Sequence, residues 1–220
     1  MSDYSGQITT PAQPNLGNPG EVYDRLYFSQ TFSNIGNYAV RVTNALGALF
    51  GPRGCKYLNA PYGAFQDGTD QVAANTTTAY AVTFDTTDFS NGVTLSNSSR
   101  LNVAQSGLYN LQFSIQFKNT TNDTQDADVW FRKNGTNIDK SNSRFGLSAR
   151  KSSGDPSHMI GALNFFVNLA ANDYIEIMWR PSNVGVSIEH FAASSSPTRP
   201  VVPSVIATLS FVSNLSTETA

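Results

Sequence analysis

The sequence predicts a mainly β protein, an antiparallel β-sandwich or jelly roll preceded by an extended N-terminal arm and one amphipathic α-helix. Residues 1–20 are rich in proline and polar side chains, which is typical of an arm. Residues 21–50 repeat apolar side chains at helical spacing. From residue 75 onwards, short β-type segments alternate with turn residues and no helical period is sustained. Evenly spaced short strands of this kind indicate a sandwich or jelly roll.

The composition excludes several classes of function. Of the 220 residues only 14% are charged, and the net charge is -2, against about 25% charged residues in an average soluble domain. A nucleic-acid binder would show a basic patch and a high pI. One cysteine and two histidines exclude an internal disulfide and a Cys/His zinc site. We therefore expect no metal, cofactor or nucleic-acid partner.

The N-terminal segment predicts an arm in residues 1–20. It contains Pro11, Pro14 and Pro19 and has neither a basic nor an apolar region of the kind that signal peptides carry. No stretch of the chain approaches the roughly 18 apolar residues of a spanning helix, so no membrane insertion is expected. Such an arm buries too little apolar surface to fold alone, and we expect it to become ordered only against a partner.

Residues 21–50 predict an amphipathic helix with a heptad seam. Pro19-Gly20 precedes the segment and Gly51-Pro52 follows it, so both ends carry helix-stop signals. The helix could dock on the chain's own β domain, or it could form a two- or three-stranded coiled coil. We favour the coiled coil if the following domain also oligomerises. The seam, spaced alternately by four and three, is Phe28, Phe32, Ile35, Ala39, Val42, Leu46 and Leu49.

A glycine-rich connector is predicted for residues 51–74. It contains Cys55, and a catalytic thiol there would need a nearby base. The closest histidine in sequence is the distant His158. A buried or merely tolerated cysteine is the better interpretation.

Residues 75–220 predict the jelly-roll domain. Leu111, Phe113, Ile115 and Phe117 alternate with polar residues, as in a half-buried strand. Asn134-Gly135 predicts a tight hairpin, and Asn91-Gly92 is a second turn candidate. The predicted strands are 79–84, 100–104, 108–117, 127–135, 159–169, 174–181, 186–192 and 205–212.

No pattern of catalytic residues stands out, and we expect no enzyme. Asp123, Asp126 and Asp128 could hold a cation but lack the spacing of an EF-hand loop, so a solvated loop is favoured. Glu176 and Glu189 could form a paired-carboxylate site, but outward polar positions on two strands are the better interpretation.

The remaining candidates are aromatic or imidazole side chains. Trp130 and Trp179 lie within predicted strands, where core packing is favoured over stacking on a sugar. We expect His158 and His190 at the surface or at a strand edge.

The strand sequences resemble those of the trimeric jelly rolls of the complement and tumour-necrosis-factor type. GLYNLQFSIQF, VWFRKNGTNI, FFVNLAANDYIEIMW and VIATLSFV occur in the order of that family. Gly107-Leu108-Tyr109 and Asn134-Gly135 match its motifs well. Asn172-Asp173-Tyr174 departs from the usual Gly-Asp, with asparagine at a tight turn that it can also accept.

More narrowly, AYAVTFDTTDFSNGVTL and PTRPVVPSVIATLSFV resemble a domain of structural proteins from tailed bacteriophages, including those that infect cyanobacteria. ALFGPRGCKYLNAPYGAFQD resembles the segment that precedes it, so the likeness spans roughly residues 45–212. It implies a non-enzymatic homotrimer with a three-stranded helical stalk. Core and trimer interface would draw on one pool of aromatic residues: Tyr109, Phe113, Trp130, Phe165, Trp179 and Phe211.

Two functions are expected from this resemblance. The first is a virion structural protein, either a head decoration (cement) protein or a small tail appendage, whose partners are its own copies and other virion proteins. The alternative is a receptor- or carbohydrate-binding tip of a tail fibre, whose partner is a host surface glycan. In either case the expected location is the virion.

Overall fold

The computed structural model describes residues 25–50 and 60–213, with side chains in the first range described for residues 29–47. The chain divides into two units, one ending at Asn59 and one beginning at Ala60. The predicted arm of residues 1–20 and Cys55 lie outside the described residues.

The first unit contains the predicted helix, which is confirmed as α1 (Arg25–Phe50). Its seam side chains face solvent in the described chain. Phe32 is 70% exposed, Ile35 45% and Leu46 49%. Ala39 is also exposed and Val42 partly buried, while the side chains of Phe28 and Leu49 lie outside those described. A helix with an uncovered apolar stripe needs a partner surface for its stability.

The second unit is mainly β, with antiparallel sheets in a sandwich-like arrangement, and every predicted strand segment contains an observed strand. The strands in chain order are β1 (Tyr62–Asp67), β2 (Gln71–Val72), β3 (Tyr80–Ala81), β4 (Thr86–Asn91), β5 (Val93–Ser96), β6 (Arg100–Val103), β7 (Gly107–Asn119), β8 (Gln125–Lys133), β9 (Thr136–Asn137), β10 (Ser143–Leu147), β11 (Ser157–Leu169), β12 (Tyr174–Pro181), β13 (Val186–Ile188), β14 (Ser194–Ser195), β15 (Thr198–Arg199) and β16 (Val205–Ser213).

The strands form two seven-stranded sheets and one small pair, β14–β15. In the first sheet, β7 pairs with β11 on one side and with β16 and β13 on the other; β1 and β4 follow β16, and β2 follows β13. The second sheet has the order β10-β8-β12-β6-β5, with β3 added to β12 and β9 to β8. Aromatic rings join the sheets: Phe113 meets Phe131 at 6.0 Å, and Phe117 meets Trp179 at 6.4 Å between centroids.

The connector predicted for residues 51–74 is wrong from Ala60 onwards. Strands β1 and β2 lie within it, and β1 fills the place between β16 and β4 in the first sheet. Phe65 is fully buried, with its ring 6.1 Å from that of Phe84. The flanking Pro61 and Gly68 are typical of loops, so the sequence predicted a connector here although the residues between them alternate as in a strand.

The two predicted turns have different outcomes. Asn134 and Gly135 have φ of 48° and 82° and join β8 to β9 with Lys133 opposite Thr136, so this hairpin is confirmed. Asn91-Gly92 is not a hairpin. It carries the chain from β4 in the first sheet to β5 in the second, and Gly92 adopts a φ of 67° at that crossing.

Candidate association surface

The outward face of the first sheet carries no ionisable side chain along β7, β11 and β16 except Lys118 and His158, which lie opposite each other at one end of the face. Strand alternation turns every second residue of β11, β7 and β16 away from the core. We call these positions, without Lys118 and His158, the neutral face: Leu108, Asn110, Gln112, Ser114, Gln116, Ile160, Ala162, Asn164, Phe166, Asn168, Ile206, Thr208, Ser210 and Val212. Amide and hydroxyl groups alternate there with exposed apolar side chains, among which Ile160 is 60% and Phe166 54% exposed.

The strand register arranges these side chains in rows across the sheet. From β11 through β7 to β16 the rows are Ala162–Ser114–Ile206, Asn164–Gln112–Thr208 and Phe166–Asn110–Ser210. The Oδ1 atom of Asn110 is buried and accepts no hydrogen bond within the described residues. Burying a neutral amide or hydroxyl costs much less than burying an ion, provided that a hydrogen bond replaces its water. A second protein surface could therefore cover this face without stripping water from a charge.

Strand β11 adds an open backbone edge to the neutral face. It is 13 residues long and, within the described residues, pairs only with β7. Its inward side chains Met159, Leu163 and Phe165 are only partly covered by the core. Long, apolar edge strands promote pairing with another chain unless charges or prolines interrupt them. Between Met159 and Leu169, β11 contains neither.

The outward face of the second sheet is charged instead. Asp128 on β8 lies opposite Arg144 on β10 and Arg180 on β12, with ion-pair distances of 2.9 and 3.0 Å. Burial alone would raise the pKa of Asp128, but hydrogen bonds and charge from both guanidinium groups outweigh burial and lower it. This carboxylate therefore stays ionised down to acidic pH.

A second ionic cluster lies on the same face, around Glu176. Its carboxylate accepts hydrogen bonds from Arg132 Nε at 2.9 Å and Ser99 Oγ at 3.0 Å, and Arg100 Nε lies 3.5 Å away. The guanidinium of Arg100 also stacks 4.4 Å from the ring centroid of Tyr174. The two outward faces of the sandwich thus differ in charge: the neutral face of the first sheet has no ion pairs, and the face of the second sheet has two clusters of them.

The structure does not bring Glu176 and Glu189 together as a site. Glu176 belongs to β12 of the second sheet, whereas Glu189 follows β13 of the first sheet. The carboxylate of Glu189 binds Lys118 Nζ and the Nε2 atom of His158, the latter at 2.8 Å. This charged cluster marks one end of the neutral face. His190, the other histidine, is half-exposed and contacts Asp70 at 2.7 Å.

The three clustered aspartates have separate surroundings. Asp128 is engaged by two arginines. Asp126 donates its backbone N–H to Ser182 Oγ and accepts the backbone N–H of Ser182 at its carbonyl. The carbonyl of Asp123 accepts a hydrogen bond from Asn119 Nδ2. Among the described residues no group of three or more His, Cys, Asp or Glu is placed to hold a metal ion. No helix in the described chain is long and apolar enough to cross a membrane.

The predicted aromatic pool divides between core and surface. Tyr109, Phe113 and Trp179 are buried, while Phe165 and Phe211 are partly buried against the core. The sixth residue, Trp130, faces outward on the second sheet, opposite Met178. None of the six lies on the neutral face.

The aromatic residue of the neutral face is Phe166, which sequence reasoning did not single out. The signal was present, since adjacent residues of a strand face opposite ways. With Phe165 packed 4.6 Å from Phe131 between ring centroids, Phe166 must point outward.

The chain matches no protein-family model and no curated protein.

Proposed function

We propose that the chain is a non-enzymatic structural component of a tailed-phage virion, a homotrimer of jelly rolls that serves as head decoration or as a small tail appendage. The observation that carries self-association is the neutral face beside the open edge of β11. The phage assignment and the jelly-roll topology rest on the sequence strings described above. The N-terminal arm and α1 would anchor the trimer to the particle.

The contrast between the two sheets supports association through the first one. Protein interfaces are depleted in charge at their centre and enriched in aromatic side chains, with a polar rim. The neutral face shares the depletion in charge, and the Lys118–Glu189–His158 cluster lies at its rim. The ion pairs of the second sheet suit a surface that remains in water. The exposed seam of α1 supplies a second apolar contact with the spacing of a coiled coil.

A matched pair of lysine substitutions tests the neutral face. Ile206 is 43% exposed on this face, and Val201 is 49% exposed outside it. We expect light scattering of the full chain to give a trimer for the wild type and for Val201→Lys. Ile206→Lys should dissociate toward monomer, because three buried ammonium groups would lose their water. A wild-type monomer, or a trimer that survives Ile206→Lys, would contradict association through this face.

The helix is tested separately with Ile35→Lys, which places a charge in the seam. If α1 forms a stalk, this variant weakens the trimer and lowers the helical signal in circular dichroism. Unchanged mass and helicity would remove the stalk from the proposal.

Position on the particle requires an assembly assay. We expect deletion of residues 1–20 to leave the trimer intact and to abolish its incorporation into virions. Normal incorporation of the truncated chain would contradict the anchoring role of the arm.

A receptor- or carbohydrate-binding tip is the second candidate function. The specific observation in its favour is Trp130, which faces outward on the sheet that association would leave in solvent. Saturable binding of the purified chain to host cells would favour this candidate, and binding to emptied capsids alone would favour the first.

A further inference from the structure

An open depression of about 590 Å³ lies on the outward face of the second sheet, beside Trp130. Its apolar surface comes from Trp130 on β8 and from Ile138, which follows β9. Its rim is polar and includes Asn137, Asp139, Lys140 and Asn142. We call it the Trp130 depression.

The aromatic platform of the depression is held in a fixed orientation. Trp130 Nε1 donates a hydrogen bond of 2.9 Å to Asn137 Oδ1. Met178, its cross-strand neighbour on β12, is almost fully buried. A ligand that stacks on this indole would not have to order it first, which reduces the entropy cost of binding.

The loop that forms the rim is also fixed by hydrogen bonds. Ile138 donates its backbone N–H to Phe131 O at 2.9 Å, and the buried Ser141 donates its hydroxyl to Ile138 O at 2.8 Å. Ser141 Oγ in turn accepts the backbone N–H of Phe131 at 3.1 Å. Residues 137–142 are thereby tied to β8 at Phe131, and their shape is set before any ligand arrives.

Several rim side chains keep unused hydrogen-bonding capacity. Asp139, Lys140 and Asn142 are exposed and make no side-chain hydrogen bond or ion pair within the described residues. Together they offer carboxylate, ammonium and amide groups around one aromatic surface. Sites of this kind, with apolar contact area and a few polar groups for orientation, are typical for small ligands.

The charge balance selects a neutral ligand. The depression is lined by two acidic residues, Asp128 and Asp139, and two basic residues, Lys140 and Arg180. Asp128 and Arg180 neutralise each other at 3.0 Å. Neither an anion nor a cation is therefore favoured by the local field, whereas a polyhydroxylated ring could stack on the indole and use donors and acceptors of both kinds.

We propose that the Trp130 depression binds a neutral saccharide, with one sugar ring stacked on Trp130 and its hydroxyl groups hydrogen-bonded by the side chains of Asp139, Lys140 and Asn142. This inference rests on the second candidate function and names the site that would carry it. It does not depend on self-association. A single open site of this size should bind weakly, and several copies in one oligomer would raise the avidity.

The test measures binding per chain to the wild-type protein. The probes are neutral oligosaccharides derived from starch, cellulose, laminarin and mannan, with polygalacturonate as the acidic comparison, titrated by calorimetry. Because Trp179 is only 1% exposed, quenching of tryptophan fluorescence by a bound saccharide would report on Trp130. We expect at least one neutral probe to bind with a stoichiometry of one site per chain.

Three variants localise the site. Trp130→Ala should weaken binding at least tenfold. Asn142→Ala, whose side chain has no partner among the described residues, should weaken it about threefold to tenfold. Phe89→Ala removes a more accessible aromatic side chain, 68% exposed on β4 of the first sheet, and should leave affinity unchanged. Because Asn142 is exposed, its variant keeps the test valid even if Trp130→Ala folds poorly.

Three results would overturn the proposal: no binding of any neutral probe, equal binding by the wild type and both site variants, or salt-sensitive binding of polygalacturonate alone. Light scattering of the same samples reports the oligomeric state. A trimer that binds no sugar therefore refutes the saccharide site, whereas a sugar-binding monomer refutes the association proposal.

Discussion

The structure gives a steric reason for glycine at position 107, the first residue of β7, and this reason can be tested by substitution. A Cβ atom at this position would lie 2.4 Å from Cε2 of Phe211 and 2.8 Å from the backbone oxygen of Ser213. The Phe211 ring cannot turn away freely, since it packs edge-on against Tyr109 at 5.6 Å between centroids. The second contact is with backbone, so Gly107→Ala must displace the end of β16.

The expected loss of stability follows from two opposing effects. Overpacking a core position costs about 1–3 kcal/mol. Replacing glycine by alanine recovers roughly 0.4–1 kcal/mol through the unfolded state. Gly107 has no positive φ, so no backbone strain is added. The net loss should be about 1–2 kcal/mol, which lowers the Tm by roughly 2–8 °C in a domain of this size.

Urea and thermal unfolding of the full chain, followed by far-UV circular dichroism, measure this loss. The matched control is Gly146→Ala in β10, where the nearest atom to a new Cβ is Asp126 Oδ1 at 3.7 Å. We expect the control to keep or slightly raise the stability. Adding Phe211→Leu to Gly107→Ala should restore part of the loss, since a double-mutant cycle detects such coupling. Equal losses in both glycine variants would refute the steric explanation.

Three further predictions concern titration and turn geometry. The pKa of Asp128 in the folded protein lies below its ordinary value, so this carboxylate stabilises the fold above the unfolded pKa of about 3.9 and stops doing so as pH falls through the folded pKa. We expect Asp128→Asn to be less stable by about 1.5–3 kcal/mol at pH 7 and to lose less stability on acidification, as measured by urea unfolding. Identical acid profiles of the variant and the wild type would contradict this. Burial raises the pKa of Tyr109 to about 12, so stability should fall as pH rises from about 10 to 12, with the Tyr109→Phe variant losing that slope. Ultraviolet difference titration should find a late-ionising tyrosine in the wild type that is missing from Tyr109→Phe. Asn172 has a φ of 69°, so Asn172→Val should cost about 1–2 kcal/mol while Asn172→Gly stays close to the wild type in thermal melts; a harmless valine would show that this turn can rearrange.

The strand content was predictable because long alternating segments determine their own inward face. In 174–181, Ile175, Ile177 and Trp179 alternate with Glu176 and Met178, and the first three are buried in the core. In 127–135 the same alternation turns Val129 and Phe131 inward and Trp130 outward, against the core packing predicted for Trp130 from the sequence. Strand β1 was missed because a short strand beside proline and glycine carries too few alternating positions.

The neutral face could not be predicted from the sequence. Its side chains come from three strands that are distant along the chain, and they become neighbours only because β7 pairs with both β11 and β16. Each strand alone shows ordinary polar alternation, as any half-exposed strand does. The register, with Ser114 between Ala162 and Ile206, is information that only the folded sheet contains.

The low charge of the sequence gains a physical meaning from where the charges lie. A charged fraction of 14% spread evenly would leave both faces of the sandwich sparsely charged and equally soluble. Instead, the ion pairs of Asp128 and Glu176 with Arg144, Arg180 and Arg132 concentrate on the second sheet. The outward positions of β7, β11 and β16 in the first sheet hold no ionisable group other than Lys118 and His158 at one end. Because burying an unpaired charge costs free energy, another protein can cover the outward face of the first sheet more easily than that of the second. The ion pairs of the second sheet suit a surface that stays in water. The self-association and saccharide proposals therefore assign different partners to opposite faces, and neither needs the surface used by the other.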